Sequence, residues 1–516
     1  MLTFWKKDKE KSEAVKKLEQ VIDEFRQGKQ NYLPAIYQAL AYKDKEAVKL
    51  AAHEIAQYMK GLDSGQLIRL DERFREYSSM EWNIWWEKVD LSFWKVNIEN
   101  TEDYLWSLRL GTFHPNGYFR EKCIWELAGE DDSVRFVLLR LNDWAAPVRE
   151  AAQAAAAYIT ELKAEALVAC LPYLEKVKQG GRRDRNVLQE LEDQVGDRIQ
   201  SQLQHVDLCN LKKYDIRARK YLYRLLLERK LLTKEEVDLV LNREKSSQCQ
   251  VLLMTYFLRY YECSVEELDN YLQHKSKVVQ RKALEQKYNM LKTAWVGLEK
   301  LLLASTVGTR GMVSYILRKH TEFDIVAYYA ERLETPQKKI CILGIGENGG
   351  QEDAGLLMKY LEELAEGIVK NTLHAISLLQ GAKAADIFWK YLLDERPVVM
   401  RQAYREIVAN DITFGAKQVF ETFVQTESQL LREKLAHQLL RERSWDRLPY
   451  VLKLYWYEDE QIRDILWWGV HGRSVYAQLS KEEAENIRRI MYDEKYRIPK
   501  KLQEEIEFDL KFIVKG

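Results

Sequence analysis

A basic residue returns every 29 to 36 positions along most of this chain, each time followed by small or apolar residues at helical spacing. The rungs are Arg120, Arg149, Arg185, Arg217, Arg281, Arg310, Lys339, Lys370, Arg401, Arg432 and Arg463, with one missing near Cys249. The four steps from Lys339 to Arg463 are 31 residues each. A fixed period of this size marks a repeat architecture, in which one supersecondary unit is stacked many times and each copy buries its apolar face on its neighbours. The 516 residues therefore count repeats rather than ordinary domains.

Composition agrees with helices joined by short turns. Only 8 prolines and 23 glycines occur, 46% of residues are apolar and 31% are charged, which is enough apolar surface for the chain to fold throughout. Eighty basic residues balance eighty acidic ones, so no overall positive field draws in phosphate backbones or anionic lipid, and nucleic acid is not the expected partner. Six cysteines (Cys123, Cys170, Cys209, Cys249, Cys263 and Cys341) are scattered without a CxxC and read as reduced core residues of a cytoplasmic protein. The longest apolar runs, such as Ala151 to Ile159, are about half of the roughly 20 residues a membrane span needs, so no transmembrane segment is expected. Met1 to Trp5 precedes a lysine-rich stretch and reads as a solvated helix start, with no secretory segment behind it.

The repeat unit is a helical hairpin. Val134, Val137, Leu138 and Leu141 predict one buried stripe; Val148, Ala152, Ala155, Ile159 and Leu162 predict its partner. Between them Asn142 to Pro147 forms a polar turn, with Asp143 suited to cap and Pro147 to open the second helix. The segment Asp143 to Ala152, DWAAPVREAA, resembles the second-helix signature of HEAT repeats. Weaker copies are VVQRKA at Val278 to Ala283, VVMRQA at Val398 to Ala403, LREKL from Leu431, IRDIL from Ile462 and DKEAVKLAA from Asp44. The resemblance implies an all-α fold, a right-handed α-solenoid of stacked antiparallel helix pairs with a period of about 31 residues. In that family the turn Asp and the following Arg tend to bond across repeats; here the offset from acid to base varies from five to seven residues.

Four regions follow: 1–62, an N-terminal helical repeat region; 63–110, a Trp-rich irregular segment, either a divergent repeat or an insertion packed on the array; 111–475, the repeat array; and 476–516, a helical cap. Within the array, Gly180 to Arg185 (GGRRDR) reads as an exposed basic loop.

No HExxH, GxSxG, P-loop or paired-carboxylate motif stands out, so no catalytic residue, cofactor or metal is expected. Gly344 to Gly349 is a literal GxGxxG, but phosphate binding requires a strand before it and a helix opening at it. Its neighbours read as helices on both sides, which makes it an interhelical turn. His205 and Cys209 can share a helix face, yet two ligands do not make a zinc site.

Tryptophan is the distinctive residue. Trp82, Trp85, Trp86 and Trp94 crowd the irregular segment, Trp467 and Trp468 are adjacent near the C-terminus, and Tyr455 to Tyr457 adds a further aromatic run. On one helix Trp82 and Trp86 share a face while Trp85 sits about 100° away, so a single neighbour cannot bury all three. These six tryptophans are the candidate binding residues, because exposed Trp, Tyr and Arg dominate interface hot spots; burial between repeats is the competing reading. The expected function is a non-enzymatic scaffold holding a protein or peptide on the concave helical surface. Two alternatives rest on resemblance alone: a nucleic-acid binder or enzyme similar to HEAT-like alkylpurine DNA glycosylases, and a lyase- or chaperone-like protein similar to HEAT-type phycobilin lyases. No residue here is assignable to either chemistry.

Overall fold

The computed structural model describes residues 12–77, 80, 84–208, 210–474 and 476–514. Among them the chain is helical, and the one β-type contact is an isolated parallel bridge between Leu479 and Val514. It divides into two compact units, Met1–Met290 and Leu291–Gly516.

The helices begin where short polar side chains can take up the first free backbone N–H groups. Asp44, Asn116, Asp215, Ser246 and Asp459 each cap a helix in this way, and Asp63 and Ser264 complete reciprocal capping boxes with Gln66 and Glu267. Pro147 and Pro397 sit in the opening turn of their helices, where a missing N–H costs nothing.

The expected hairpin forms from helix Val134–Leu139, its 3₁₀ extension Arg140–Asn142 and helix Ala146–Ala156. All nine residues of the two apolar stripes are buried. In the second unit the antiparallel pairs are Ala385–Leu392 with Pro397–Ala409, Ala416–Gln425 with Gln429–Arg441, and Ser444–Lys453 with Glu460–His471. Their second helices stack on one another in a row that starts with Lys338–Asn348 and Glu366–Gln380.

Gly344 and Gly346 lie inside helix Lys338–Asn348 rather than in a turn, which corrects the sequence expectation; only Gly349 leaves the helix, as its C-cap. Both glycines serve close packing. A Cβ on Gly344 would fall 2.3 Å from the Tyr329 ring, and one on Gly346 would fall 2.6 Å from Cα of Ala375 on the neighbouring helix. The motif ends a helix instead of opening one, so it presents carbonyls where a phosphate needs N–H groups.

In the first unit, helix Ser64–Phe74 packs on Ala164–Lys178 and Ile216–Glu228, far along the chain. Ser64 N–H donates to Asp215 at 3.0 Å, Lys176 pairs with Glu72 at 2.5 Å, and Arg140 pairs with Asp71 at 2.5 Å.

The rungs divide by environment. Arg120, Arg149, Arg310 and Arg463 each donate through Nη1 to the carbonyl six residues earlier, at 2.7, 2.8, 2.8 and 3.5 Å. The guanidinium thus folds back and satisfies the turn that precedes its own helix. Arg120 also forks onto Asp143 at 3.0 and 2.7 Å with both side chains fully buried, and Arg310 forks onto Glu347. Asp143 therefore pairs backwards with Arg120, while Arg149 takes only its carbonyl. Arg185, Arg217, Arg281, Lys339, Lys370 and Arg401 are exposed.

Candidate interaction surface

The six candidate tryptophans meet different fates. Trp82 lies outside the described residues. Trp86 and Trp94 are buried, so neither presents a surface to a partner; both belong to a cluster around Tyr37. Trp86 stacks on Tyr37 at 5.5 Å and lies 4.2 Å from His114 and 4.8 Å from Phe119. Every indole and phenol polar group at this centre is satisfied: Trp86 Nε1 donates to Met80 O at 2.6 Å, Trp94 Nε1 to Leu40 O at 2.8 Å and Tyr37 OH to Ser107 O at 3.0 Å. Burial, with Arg120 nearby, pushes His114 down to about 3, leaving a neutral ring whose Nδ1 accepts from Asn116 N–H. Trp85 is 68% exposed, with Lys88 Nζ 4.3 Å from its ring centre. The helix-face argument fails at this point, since residues 84 and 85 are not helical and Trp86–Lys88 is a single 3₁₀ turn.

The C-terminal pair behaves differently. Helix Glu460–His471 opens at the Asp459 cap and buries Ile462, Leu466, Gly469 and Val470 against Ser444–Lys453 and Gln429–Arg441. The next positions around the helix, Trp467 and Trp468, point outward at 47% and 67% exposure. Their rings meet edge to face at 5.1 Å, and Trp467 lies 4.3 Å from His471 one turn on. Across from them Trp456 is 59% exposed, its indole N–H held by the Arg497 carbonyl at 3.0 Å. That bond fixes the ring's orientation while leaving its edge and face toward solvent. Tyr455 packs edge to face on Trp456 at 5.1 Å.

Between these rings lies a cavity of about 170 Å³, floored by Val451, Leu466 and Val470, walled by Tyr455, Trp456 and Trp467, and rimmed by Arg463 and Asp464. An apolar floor, aromatic walls and one charge of each sign at the rim suit one inserted apolar or aromatic side chain with polar groups beside it. Trp456 is the member that sequence reasoning noted without selecting; its signal was the run Tyr455-Trp456-Tyr457, which cannot bury all three rings at once.

Among the described residues no group of three or more His, Cys, Asp or Glu side chains is placed to hold a metal ion, and no helix is long and apolar enough to cross a membrane. The pairing of His205 with Cys209 falls outside what is described, as does Met1 to Trp5. Cys123, Cys170, Cys249 and Cys341 are buried free thiols and Cys263 is half-buried.

No family model matches the chain, and no curated protein matches it. Among the solved structures similar to it, two align at low scores. The Schizosaccharomyces pombe condensin Cnd3-Cnd2 subcomplex aligns at a TM-score of 0.34 and 16% identity, over 96% of this chain and 81% of that one. The karyopherin Kap121p bound to the extreme C-terminus of the protein phosphatase Cdc14p aligns at a TM-score of 0.26 and 10% identity, over 98% of this chain and 57% of that one. Likenesses at this level carry no functional weight.

Proposed function

We propose that the chain is a non-catalytic interaction scaffold and that Trp456, Trp467 and Trp468 dock a protein or peptide partner. The observation that supports this most is the exposure of Trp456 and Trp467 on one apolar-floored cavity, with Trp468 exposed against Trp467. Leaving indole rings in water forfeits the burial that stabilises a fold, and rigid aromatics gathered at one spot are the usual anchors of an interface. Equal numbers of acidic and basic residues favour a protein over nucleic acid as that partner.

The test is affinity capture from native extract with the intact chain and with a Trp467→Ala/Trp468→Ala variant first shown to be folded by circular dichroism. Trp86 is no use for this purpose, because its removal damages the core. A defined protein held by the intact chain, lost by the variant and rebound in purified form supports the reading. Equal capture by both, or none by either, counts against it.

A further inference from the structure

A second cleft, of about 360 Å³, opens in the first unit between the N-terminal turns of helices Ala146–Ala156 and Arg185–Ser201. Arg149, Arg182 and Arg183 line it, facing two carboxylates, Glu150 and Asp184, over a floor that includes Leu141 and Leu188. The loop carrying two of these arginines is latched in place. Asn142 Oδ1 accepts the Arg182 backbone N–H at 2.9 Å, and the same side chain lies against Gly180, where a Cβ would fall 2.2 Å from it.

The two acids offset the three arginines only in part. Asp184 caps its own helix through Oδ1, which accepts from Asn186 and Val187 N–H at 2.8 and 3.3 Å. Among the described residues, neither Arg182 nor Arg183 has a carboxylate within ion-pair distance, and Arg183 Nε is sealed from solvent with no acceptor. Guanidiniums that line one cleft repel one another, and an anion between them relieves that repulsion. Arg149 is anchored through Nη1 to the Asp143 and Trp144 carbonyls at 2.8 and 3.1 Å, which fixes its position on the cleft wall. Helix Ala146–Ala156 adds to the field, since Ala145 at its N-cap supplies no side-chain cap.

We propose that this cleft binds a phosphoryl group. The planar guanidinium fork matches phosphate oxygens in pairs, and a dianion meets three guanidiniums that two carboxylates offset only in part. The lining contains no aromatic residue on which a base could stack, which disfavours single-stranded nucleic acid as the carrier. Leu141 and Leu188 would seat the methylene of a phosphorylated side chain on a protein partner. Free phosphate shares the anion chemistry but makes no use of that floor.

The experiment is isothermal titration calorimetry of the full chain with inorganic phosphate and with N-acetyl-O-phosphoserine amide, repeated in Arg183→Gln, Arg182→Gln and Arg185→Gln. Arg185 is exposed and does not line the cleft. Saturable binding weakened about tenfold or more by Arg183→Gln or Arg182→Gln, and unchanged by Arg185→Gln, supports the site. Tighter binding of the phosphoserine probe identifies a phosphorylated side chain as the source; equal binding identifies free phosphate. No saturable binding of either probe, or the same loss in Arg185→Gln as in the cleft variants, overturns the proposal. Arg182→Gln keeps the test open should Arg183→Gln fail to fold, because Arg182 is exposed on its loop.

Discussion

Tryptophan does opposite work at two sites in this molecule. In the first unit Trp86 and Trp94 lie at the centre of an aromatic cluster, each with its indole N–H on a backbone carbonyl, of Met80 and Leu40 respectively. In the second unit Trp456 also finds a carbonyl, that of Arg497, yet its ring stays in solvent with those of Trp467 and Trp468. Hydrogen bonding is therefore not what separates the two regions. The difference is cover: Tyr37, His114 and Phe119 lie against Trp86, and Phe74, at the end of a helix that packs on distant parts of its unit, packs on Tyr37. The described residues of the C-terminal helices supply no comparable lid over Trp467 and Trp468.

The contrast is broken most sharply by removing a buried ring. Trp86→Ala is expected to cost about 3–5 kcal/mol of stability, the range for deleting a large core aromatic, measured by urea denaturation. A loss below about 1 kcal/mol would mean that the cluster is not core.

Packed and open sites also alternate within the second unit. Gly346→Ala drives a methyl onto the backbone of Ala375 and is expected to destabilise by about 1–3 kcal/mol. Gly311, inside helix Val307–His320, has nothing within 4 Å of its would-be Cβ, so Gly311→Ala is expected to stabilise by about 0.5–1 kcal/mol. Thermal denaturation of the two variants in parallel checks both signs.

A smaller effect depends on pH. His374 Nδ1 meets buried Glu406 at 2.9 Å, and this hydrogen bond raises the histidine above its ordinary range against the opposing effect of burial. Gln402 also donates to Glu406, whose carboxyl is held low by His374 and Ser377 despite its burial. A raised histidine contributes stability that is complete below about pH 6.5, its unfolded value, and is lost as pH rises through the folded value. Stability should therefore fall as pH rises from about 6.5 through the folded value of His374, and His374→Gln should flatten that slope. A slope unchanged by the substitution would contradict the pairing.

The smallest effect on stability is expected at the exposed pair. Trp467→Ala and Trp468→Ala should each shift stability by only about 0.5 kcal/mol, as for surface positions generally. A core-sized loss in urea denaturation would place these rings among the load of the fold and remove them from the interface.

Helical periodicity made the hairpins legible, because a stripe such as Val148, Ala152 and Ala155 depends only on neighbours within one helix. Pro147 likewise announced its helix start. What stayed hidden was long-range. Asp143 faces Arg120 rather than Arg149, a choice set by how adjacent helices pack and not by spacing within the turn. The glycines of the GxGxxG stretch signal a turn by local propensity, yet they are needed inside a helix by the closeness of Tyr329 and Ala375. The split among the tryptophans was the least legible feature, since burial of Trp86 depends on Tyr37 and His114, distant in sequence. Trp456 at the open surface was visible only as one ring too many in a short run.

The division of the tryptophans can be read directly by 5-fluorotryptophan NMR of the intact chain, with signals assigned through single Trp→Phe variants and a soluble paramagnetic probe added. The account predicts strong broadening of the Trp456, Trp467 and Trp468 resonances and none for Trp86 and Trp94. Broadening at Trp86 and Trp94, or protection of the C-terminal three in the free protein, would contradict it.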